Sequence, residues 1–198
     1  MKHLIAAGCC LLALTAHAQD DRLFKPVKVN TAIGYATPLT PGAIAGVGLS
    51  LEPKYAFSDQ IDLGLRLELA LTAGAVTNNG QTSSVSVKGL TSYLLTGNYL
   101  FTTNRFRPFA GGGVGLFNVA GGTVPFGSGP NRTDFTVVGG TKFGGMLRTG
   151  FAYGHLTLAA EYNLIPSSTA IFSTTSLRST NRYLGIKLGF DIGGGRYE

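Results

Sequence analysis

The chain contains 198 residues with a formal net charge of +6, and glycine occurs 29 times without a regular period. This length suits a single domain, and the irregular glycines exclude a collagen-like chain. The basic residues are scattered singly rather than clustered, so we predict no nucleic-acid partner.

The first 18 residues have the pattern of a secretory signal peptide. Lys2 supplies a charged start, an apolar run of residues 4–16 follows, and Ala16-His17-Ala18 is a small-x-small cleavage site. The apolar run is too short to cross a bilayer as a helix. We expect cleavage after Ala18, leaving residues 19–26 as a short periplasmic segment.

This cleavage would leave few of the residue types that enzymes use for catalysis. It removes Cys9, Cys10 and two of the three histidines, which excludes disulfides, thiol catalysis and cysteine-based metal sites. A lipoprotein signal built on Cys9 fits less well, because Cys9 precedes most of the apolar run. The remaining histidine, His155, falls in a predicted periplasmic turn and suits a solvated role better than that of a catalytic base. We predict no enzymatic activity, no catalytic residue, no cofactor and no metal site.

The segment Ile61–Leu71 alternates strictly between apolar and other residues. Its odd positions are all Ile or Leu, and its even positions carry Asp, Gly, Arg, Glu and Ala. A period of two indicates a β-strand with one apolar and one polar face. Its length suits a tilted membrane strand of about 9–11 residues.

Turn signals divide the rest of the chain into further strands of this kind. We predict an all-β fold, an eight-stranded antiparallel up-and-down transmembrane β-barrel over residues 27–192, followed by a tail, 193–198. The connections after strands two, four and six are short, whereas those after strands three, five and seven are long, as in barrels with periplasmic turns and external loops. The predicted strands are 27–36, 44–57, 61–73, 85–101, 106–118, 135–153, 156–164 and 181–192.

Aromatic residues gather near the ends of the predicted strands, as expected at membrane interfaces. One predicted rim contains Tyr55, Phe57, Tyr99, Phe101, Phe106, Phe109, Phe151, Tyr153 and Phe190, and the other contains Tyr35, Phe117, Phe135, Tyr162 and Tyr183.

Turn lengths predict the strand register, and the register brings charges together. A two-residue turn at Gly154-His155 places Arg148 opposite Glu161. A three-residue turn at 58–60 places Glu52 opposite Arg66, with Lys54 diagonal to Asp62.

We therefore predict a network of charged side chains inside the barrel, with inward glycines making room for them. An eight-stranded barrel is barely wide enough for its own side chains, so a packed polar plug is the simplest interpretation. The alternative is a gated pore or a small anion site, favoured by a slight excess of Lys and Arg. The predicted network is Lys28, Glu52, Lys54, Asp62, Arg66, Glu68, Lys88, Lys142, Arg148, Glu161 and Lys187, and the glycines are Gly64, Gly111, Gly113, Gly115, Gly144, Gly185 and Gly189.

Two segments, Arg107–Gly115 and Asn181–Phe190, resemble the small OmpA/OmpX-like outer-membrane β-barrel proteins, including the PorT-like group. The resemblance implies a bacterial outer-membrane location and an assembly signal, Gly185, Leu188 and Phe190, read by the barrel-assembly machinery. This chain continues to Glu198, whereas many relatives stop at the aromatic residue. No peptidoglycan-binding domain follows, so the resemblance implies no tethering role.

Taken together, these patterns predict a monomeric barrel in outer-membrane lipid with a structural or surface-interaction role. The loop Ser167–Thr180, with Phe172 and Arg178, could contact a surface ligand or be a solvated, variable loop. A narrow gated channel, or a PorT-like accessory to transport or secretion, is a second possibility. A soluble lipocalin-like carrier is a third, and it requires the leucines of the third strand to point inward.

Overall fold

The computed structural model describes residues 22–39, 43–78, 81–120, 122–126, 133–137, 139–172, 175–179 and 181–197. Within these ranges no helix is long and apolar enough to span a membrane. The strands are β1 (Val27–Pro38), β2 (Ala43–Ala56), β3 (Ile61–Asn78), β4 (Gln81–Leu100), β5 (Phe106–Val119), β6 (Gly122–Phe126), β7 (Thr133–Val137), β8 (Gly140–Tyr153), β9 (Leu156–Leu164), β10 (Ser168–Phe172), β11 (Thr175–Ser179) and β12 (Tyr183–Gly193).

Eight of these strands form a closed antiparallel barrel, which confirms the predicted fold. The order around the barrel is β1-β12-β9-β8-β5-β4-β3-β2, and β1 closes the ring by pairing with both β12 and β2. We call the end that carries the short connections 57–60, 101–105 and 154–155 the turn end. The opposite end, which carries the connections 120–139 and 165–182, is the loop end.

Both predicted turn registers are confirmed. Tyr153 is the Cα partner of Leu156 across Gly154, whose φ of +60° favours glycine. The Phe57 amide donates a hydrogen bond of 2.8 Å to the Ile61 carbonyl. These turns set which side chains point outward along the paired strands.

The outer face of the barrel is apolar, as the alternation predicts. Leu65 is 62% exposed and Ile186 is 60% exposed, whereas Arg66 and Lys187, their neighbours in sequence, are each 2% exposed. This arrangement is inside-out relative to a soluble barrel, so the lipocalin-like alternative is wrong. Lipid chains, rather than water, suit such a surface.

The predicted sixth strand, 135–153, is wrong as one element. The chain forms two separate strands, β7 and β8, on either side of a break. Gly140, at the start of β8, has a φ of +148°, a conformation that side chains rarely adopt. The glycine pair Gly139-Gly140 therefore allows the chain to leave the barrel direction between the two strands.

The long connection predicted between the strands 61–73 and 85–101, from Gly74 to Ser84, is also wrong. β3 and β4 continue past the expected strand ends and stay paired up to Asn78 and Gln81. The two intervening residues, Asn79-Gly80, are a sequence signature of two-residue hairpins. Thr and Val residues in both arms favour extended pairing, so the sequence signal is better interpreted as that of a hairpin than as that of a long loop.

The two other long connections contain a second sheet at the loop end. Its order is β11-β10-β7-β6, so two strands come from residues 120–139 and two from residues 165–182. β10 pairs with β7, which joins the two connections through backbone hydrogen bonds. The predicted irregular loops are thus partly strands, although the side chains of Phe172 and Arg178 lie outside the described part of the structure.

The lipid-facing position of Leu65 gives a direct test of the barrel orientation. Leu65→Arg is expected to lower the free energy of unfolding by about 2–4 kcal/mol, because the charge would face the hydrocarbon core. The chain has no Trp, so the folded fraction can be read from heat-modifiable gel mobility after incubation of vesicle-inserted protein in urea. Asn104→Arg, in an exposed turn, is the matched control; equal losses in both variants would contradict the orientation.

Candidate functional site

The lumen of the barrel is filled by three layers of side chains. We call them the mouth layer at the turn end, the ionic layer in the middle and the apolar layer at the loop end. Each layer consists of inward residues from several strands, since neighbouring residues of a strand point to opposite sides. The ionic layer contains most of the charges that the sequence singles out.

Arg66 on β3 is the centre of the ionic layer. Its guanidinium lies 3.0 Å from the Glu68 carboxylate, 2.8 Å from Glu161 and 3.5 Å from Glu52. All four side chains are almost fully buried. A cation surrounded by three carboxylates can be buried because several charge-assisted hydrogen bonds replace its hydration.

Arg148 on β8 forms the second focus of the ionic layer. It donates two hydrogen bonds to Glu52, of 2.7 and 2.6 Å, and a third of 2.7 Å to Asn98. The Thr96 hydroxyl donates a further bond of 2.6 Å to Glu52, and Lys54 lies 3.9 Å from the same carboxylate. The Glu52 carboxylate is therefore contacted by side chains from its own strand β2, from β4 and from β8.

Two of these pairs run straight across the lumen. β8 and β2, which carry Arg148 and Glu52, lie four strands apart in the ring of eight, as do β3 and β9, which carry Arg66 and Glu161. Strands four apart in a ring of eight are on opposite sides. The side chains that meet between them occupy the axis of the barrel.

Lys187 on β12 completes the ionic layer. Its ammonium lies 2.6 Å from Glu68 and 3.1 Å from Glu161. The Tyr183 hydroxyl donates a hydrogen bond of 2.8 Å to Glu68. Each carboxylate thus has more than one positively charged or hydroxyl partner.

Gly64 shows how the wall makes room for these long side chains. A Cβ atom added there would lie 2.9 Å from Thr96 Oγ1, 3.1 Å from Glu52 Oε1 and 3.1 Å from Lys54 Cγ. These spacings are too close for ordinary packing, so the ionic layer occupies the space that a side chain would need. The expectation that inward glycines admit charges holds at this position.

The mouth layer closes the turn end with a second group of polar contacts. Lys28 lies 2.7 Å from Asp62 and 4.0 Å from Asp191. The Asn30 amide donates hydrogen bonds of 2.6 Å to Asp191 and 3.1 Å to Thr157. Sequence reasoning missed Asp191, although the alternation of β12, continued from Lys187, places it inward.

The apolar layer fills the loop end and was not predicted. Phe117 is fully buried, and the Tyr183 ring is 3% exposed. Both were assigned to an aromatic band at the membrane interface, and so was Phe109, which is also buried; the structure places all three inside the barrel. The layer consists of Ala36, Ala70, Leu90, Leu94, Phe117, Val119, Met146, Ile165 and Tyr183.

The predicted network residues do not all come together. Arg148 and Glu161 are Cα partners, as the register requires, but their ionic contacts are with Glu52 and with Arg66 and Lys187. Lys142 is half-buried and forms no ion pair within the described part of the chain. The side chain of Lys88 lies outside the described residues.

Among the described residues, the charges of the interior nearly balance, with a slight excess of positive charge. Lys54 adds a nearly buried cation in the ionic layer, and Asp191 adds an anion that sequence reasoning left out. Over the described residues, six cations face five anions. The cations are Lys28, Lys54, Arg66, Arg107, Arg148 and Lys187, and the anions are Glu52, Asp62, Glu68, Glu161 and Asp191.

His155 lies at the turn end, as predicted, away from the ionic layer. Its Nδ1 is 2.8 Å from the Asp191 carbonyl oxygen, and its ring stacks on Phe190 with centroids 5.7 Å apart. No cluster of three potential metal ligands occurs among the residues that the structure describes. His155 is exposed at this turn, as expected of a solvated residue, while its ring packs on Phe190.

A closed barrel of eight strands with an apolar outer face and a charged interior is the architecture of small proteins that span the bacterial outer membrane. A family model described as outer membrane protein beta-barrel domain matches residues 6–191. The chain belongs to this family, and it is a bacterial outer-membrane protein.

Solved structures show the same fold. Neisserial surface protein A is 16% identical, with 86% of this chain and 98% of that chain covered and a TM-score of 0.58. The outer membrane protein OprG from Pseudomonas aeruginosa is 14% identical, with 87% and 98% covered and a TM-score of 0.54. No curated protein matches the sequence significantly. Identities this low speak for the fold alone.

Proposed function

We propose that the protein is a closed outer-membrane barrel with a structural or surface-interaction role. The observation that carries this proposal is the pair of ionic contacts across the lumen, Arg148 with Glu52 and Arg66 with Glu161. The apolar layer around Phe117 lies beyond them towards the loop end. Ions would have to break buried charge pairs and then pass apolar side chains, and both steps are costly.

The loop-end sheet is the proposed interaction surface. It joins two connections into one sheet through the β7–β10 pairing, and an ordered surface loses less conformational entropy on binding than separate flexible loops. A surface ligand that contacts residues 167–180 fits this role. A barrel with a rigid, filled interior would hold such a surface in a fixed position.

Several further roles belong to the same proposal. Residues 1–18 serve as a signal peptide, 19–26 as a periplasmic segment and 193–198 as a tail, and the barrel works as a monomer without catalysis. Gly185, Leu188 and Phe190 form the assembly signal read by the barrel-assembly machinery. In support, Leu188 and Phe190 are exposed on the outer face of β12, where another protein can reach them.

A narrow gated channel is the second candidate, and one observation favours it. Ser92 and Asn163 are fully buried near the apolar layer, and among the described residues their side chains have no hydrogen-bond partner. Buried polar groups without partners are costly. Water entering beside Phe117 would satisfy them, and a chain of such waters would be the start of a narrow path.

Conductance in planar lipid bilayers separates the two candidates. The unmodified protein is expected to give no stepwise conductance, because the ionic and apolar layers block the lumen in series. Arg148→Ala and Glu161→Ala are expected to remain silent, since each leaves the apolar layer in place. Insertion is checked beforehand by heat-modifiable gel mobility. Stepwise currents from the unmodified protein that change in either variant would favour the channel and refute the closed barrel.

A further inference from the structure

Residues 22–25, which we call the lid segment, cross the turn end of the barrel. On one side, Arg22 donates hydrogen bonds of 2.7 and 3.2 Å to the carbonyls of Ala56 and Phe57. On the other side, the Lys25 amide donates to the Gly195 carbonyl at 2.9 Å, and the Tyr197 amide donates to the Leu23 carbonyl at 2.9 Å. The lid segment is therefore hydrogen-bonded to residues 56 and 57 on one side and to residues 195 and 197 on the other.

Asp59, in the turn between β2 and β3, is the main attachment point. Its carboxylate accepts hydrogen bonds from the backbone amides of Leu23, at 3.1 and 3.2 Å, and Phe24, at 3.2 Å. A carboxylate that accepts several amide hydrogen bonds fixes a backbone strongly.

Phe24 reaches from the lid segment to the opposite wall. Its ring centroid lies 4.1 Å from the guanidinium carbon of Arg107, within the range of a cation–π contact. Arg107 is on β5, four strands from β1 around the ring, and it is buried. Arg107 forms no ion pair within the described residues, and the Phe24 ring lies against its guanidinium.

The lid segment is attached mainly by hydrogen bonds near the surface rather than by buried apolar packing. Its hydrogen bonds are mostly exposed or partly buried, and Leu23 and Lys25 are exposed to solvent. Segments with few buried apolar contacts open with less free energy than the surrounding fold. The lid segment can therefore detach while the barrel stays paired.

From these contacts we propose that the lid segment is a movable cover of the turn end, held closed by Asp59. Opening exposes the mouth layer, with Arg107 foremost, to the periplasmic side. Closing returns Phe24 to the Arg107 guanidinium. This device is independent of the ionic and apolar layers, so it holds whether or not the lumen conducts.

A cysteine reporter under the lid tests this inference. Ala152 is 3% exposed and is the Cα partner of Arg107, so Ala152→Cys places a buried thiol beside Arg107 by a small substitution. The labelling rate with a charged, water-soluble thiol reagent is measured on refolded protein in lipid vesicles. Cys9 and Cys10 are left out by expressing the chain from Gln19, which keeps the background free of thiols.

In this background, Asp59→Ala removes the acceptor of two backbone amides, and loss of even one hydrogen bond to a charged group is expected to raise the labelling rate about tenfold or more. Phe24→Ala is expected to act in the same direction by removing the cover itself. Arg105→Ala is the matched control: it removes a charge from the same end, where Arg105 contacts Tyr153 rather than the lid segment.

Two results would overturn the inference. One is a labelling rate in Asp59→Ala and Phe24→Ala equal to that in Arg105→Ala. The other is labelling of the closed parent as fast as that of a cysteine at exposed Asn104. Heat-modifiable mobility of every variant verifies that a faster rate comes from lid opening and not from unfolding of the barrel.

Discussion

Arg66→Ala is expected to lower the free energy of unfolding by about 3–5 kcal/mol, because it removes one partner from a buried ionic cluster. Glu52, Glu68 and Glu161 would remain in the lumen with less compensating charge, and they would repel one another at short range. The loss should therefore exceed what the missing hydrogen bonds alone would cause.

Urea titration of vesicle-inserted protein, with the folded fraction read from gel mobility, measures this loss. Lys142→Ala is the matched control, since Lys142 also belongs to the predicted network but is half-buried and has no ion pair among the described residues. It is expected to change stability by less than about 1 kcal/mol. Similar losses in the two variants would show that the ionic layer does not stabilise the barrel.

Phe117→Ala is expected to cost a comparable amount, about 3–5 kcal/mol, by a different mechanism. The ring is fully buried in the apolar layer. Its removal would forfeit the transfer free energy of the side chain and leave a cavity that the stiff barrel wall cannot close. The same variant would also reduce the apolar packing that separates the ionic layer from the loop end.

Phe143→Ala is the control for this variant. Phe143 is 67% exposed on the outer face, next to Leu116 on the neighbouring strand. Its loss removes a transfer contribution but no packing, because lipid chains fill the vacated space. The same urea titration is expected to show a clearly smaller change; an equal or larger loss at Phe143 would mean that Phe117 is not tightly packed.

Alternation in the sequence predicts the outer face well, because the membrane imposes one consistent requirement along each strand. In β12, Leu184, Ile186 and Leu188 all lie outside, and the inward Lys187 takes part in the ionic layer. Turn lengths predict equally well which residues of two adjacent strands lie opposite one another. The partnership of Arg148 with Glu52 does not, since it depends on the whole ring closing with a particular order and stagger.

The apolar layer was missed for a related reason. In β4, Leu94 is 2% exposed and Leu95 is 59% exposed, yet nothing in the two residue types distinguishes lumen from lipid. Near the loop end both faces of the strand are apolar, so alternation no longer carries information. The short strands β7 and β10 were missed because segments of five residues give too little periodicity to separate a strand from a loop.

The pairing of β7 with β10 has a consequence for how this surface can vary among relatives. Phe135 and Phe172 are Cα partners, although one belongs to the connection after β5 and the other to that after β9. An insertion that shifts one strand by a residue would invert the faces of the joined sheet unless the other strand shifts too. The lengths of the two connections are therefore expected to change together during evolution. The length of the connection between β3 and β4 is expected to vary independently.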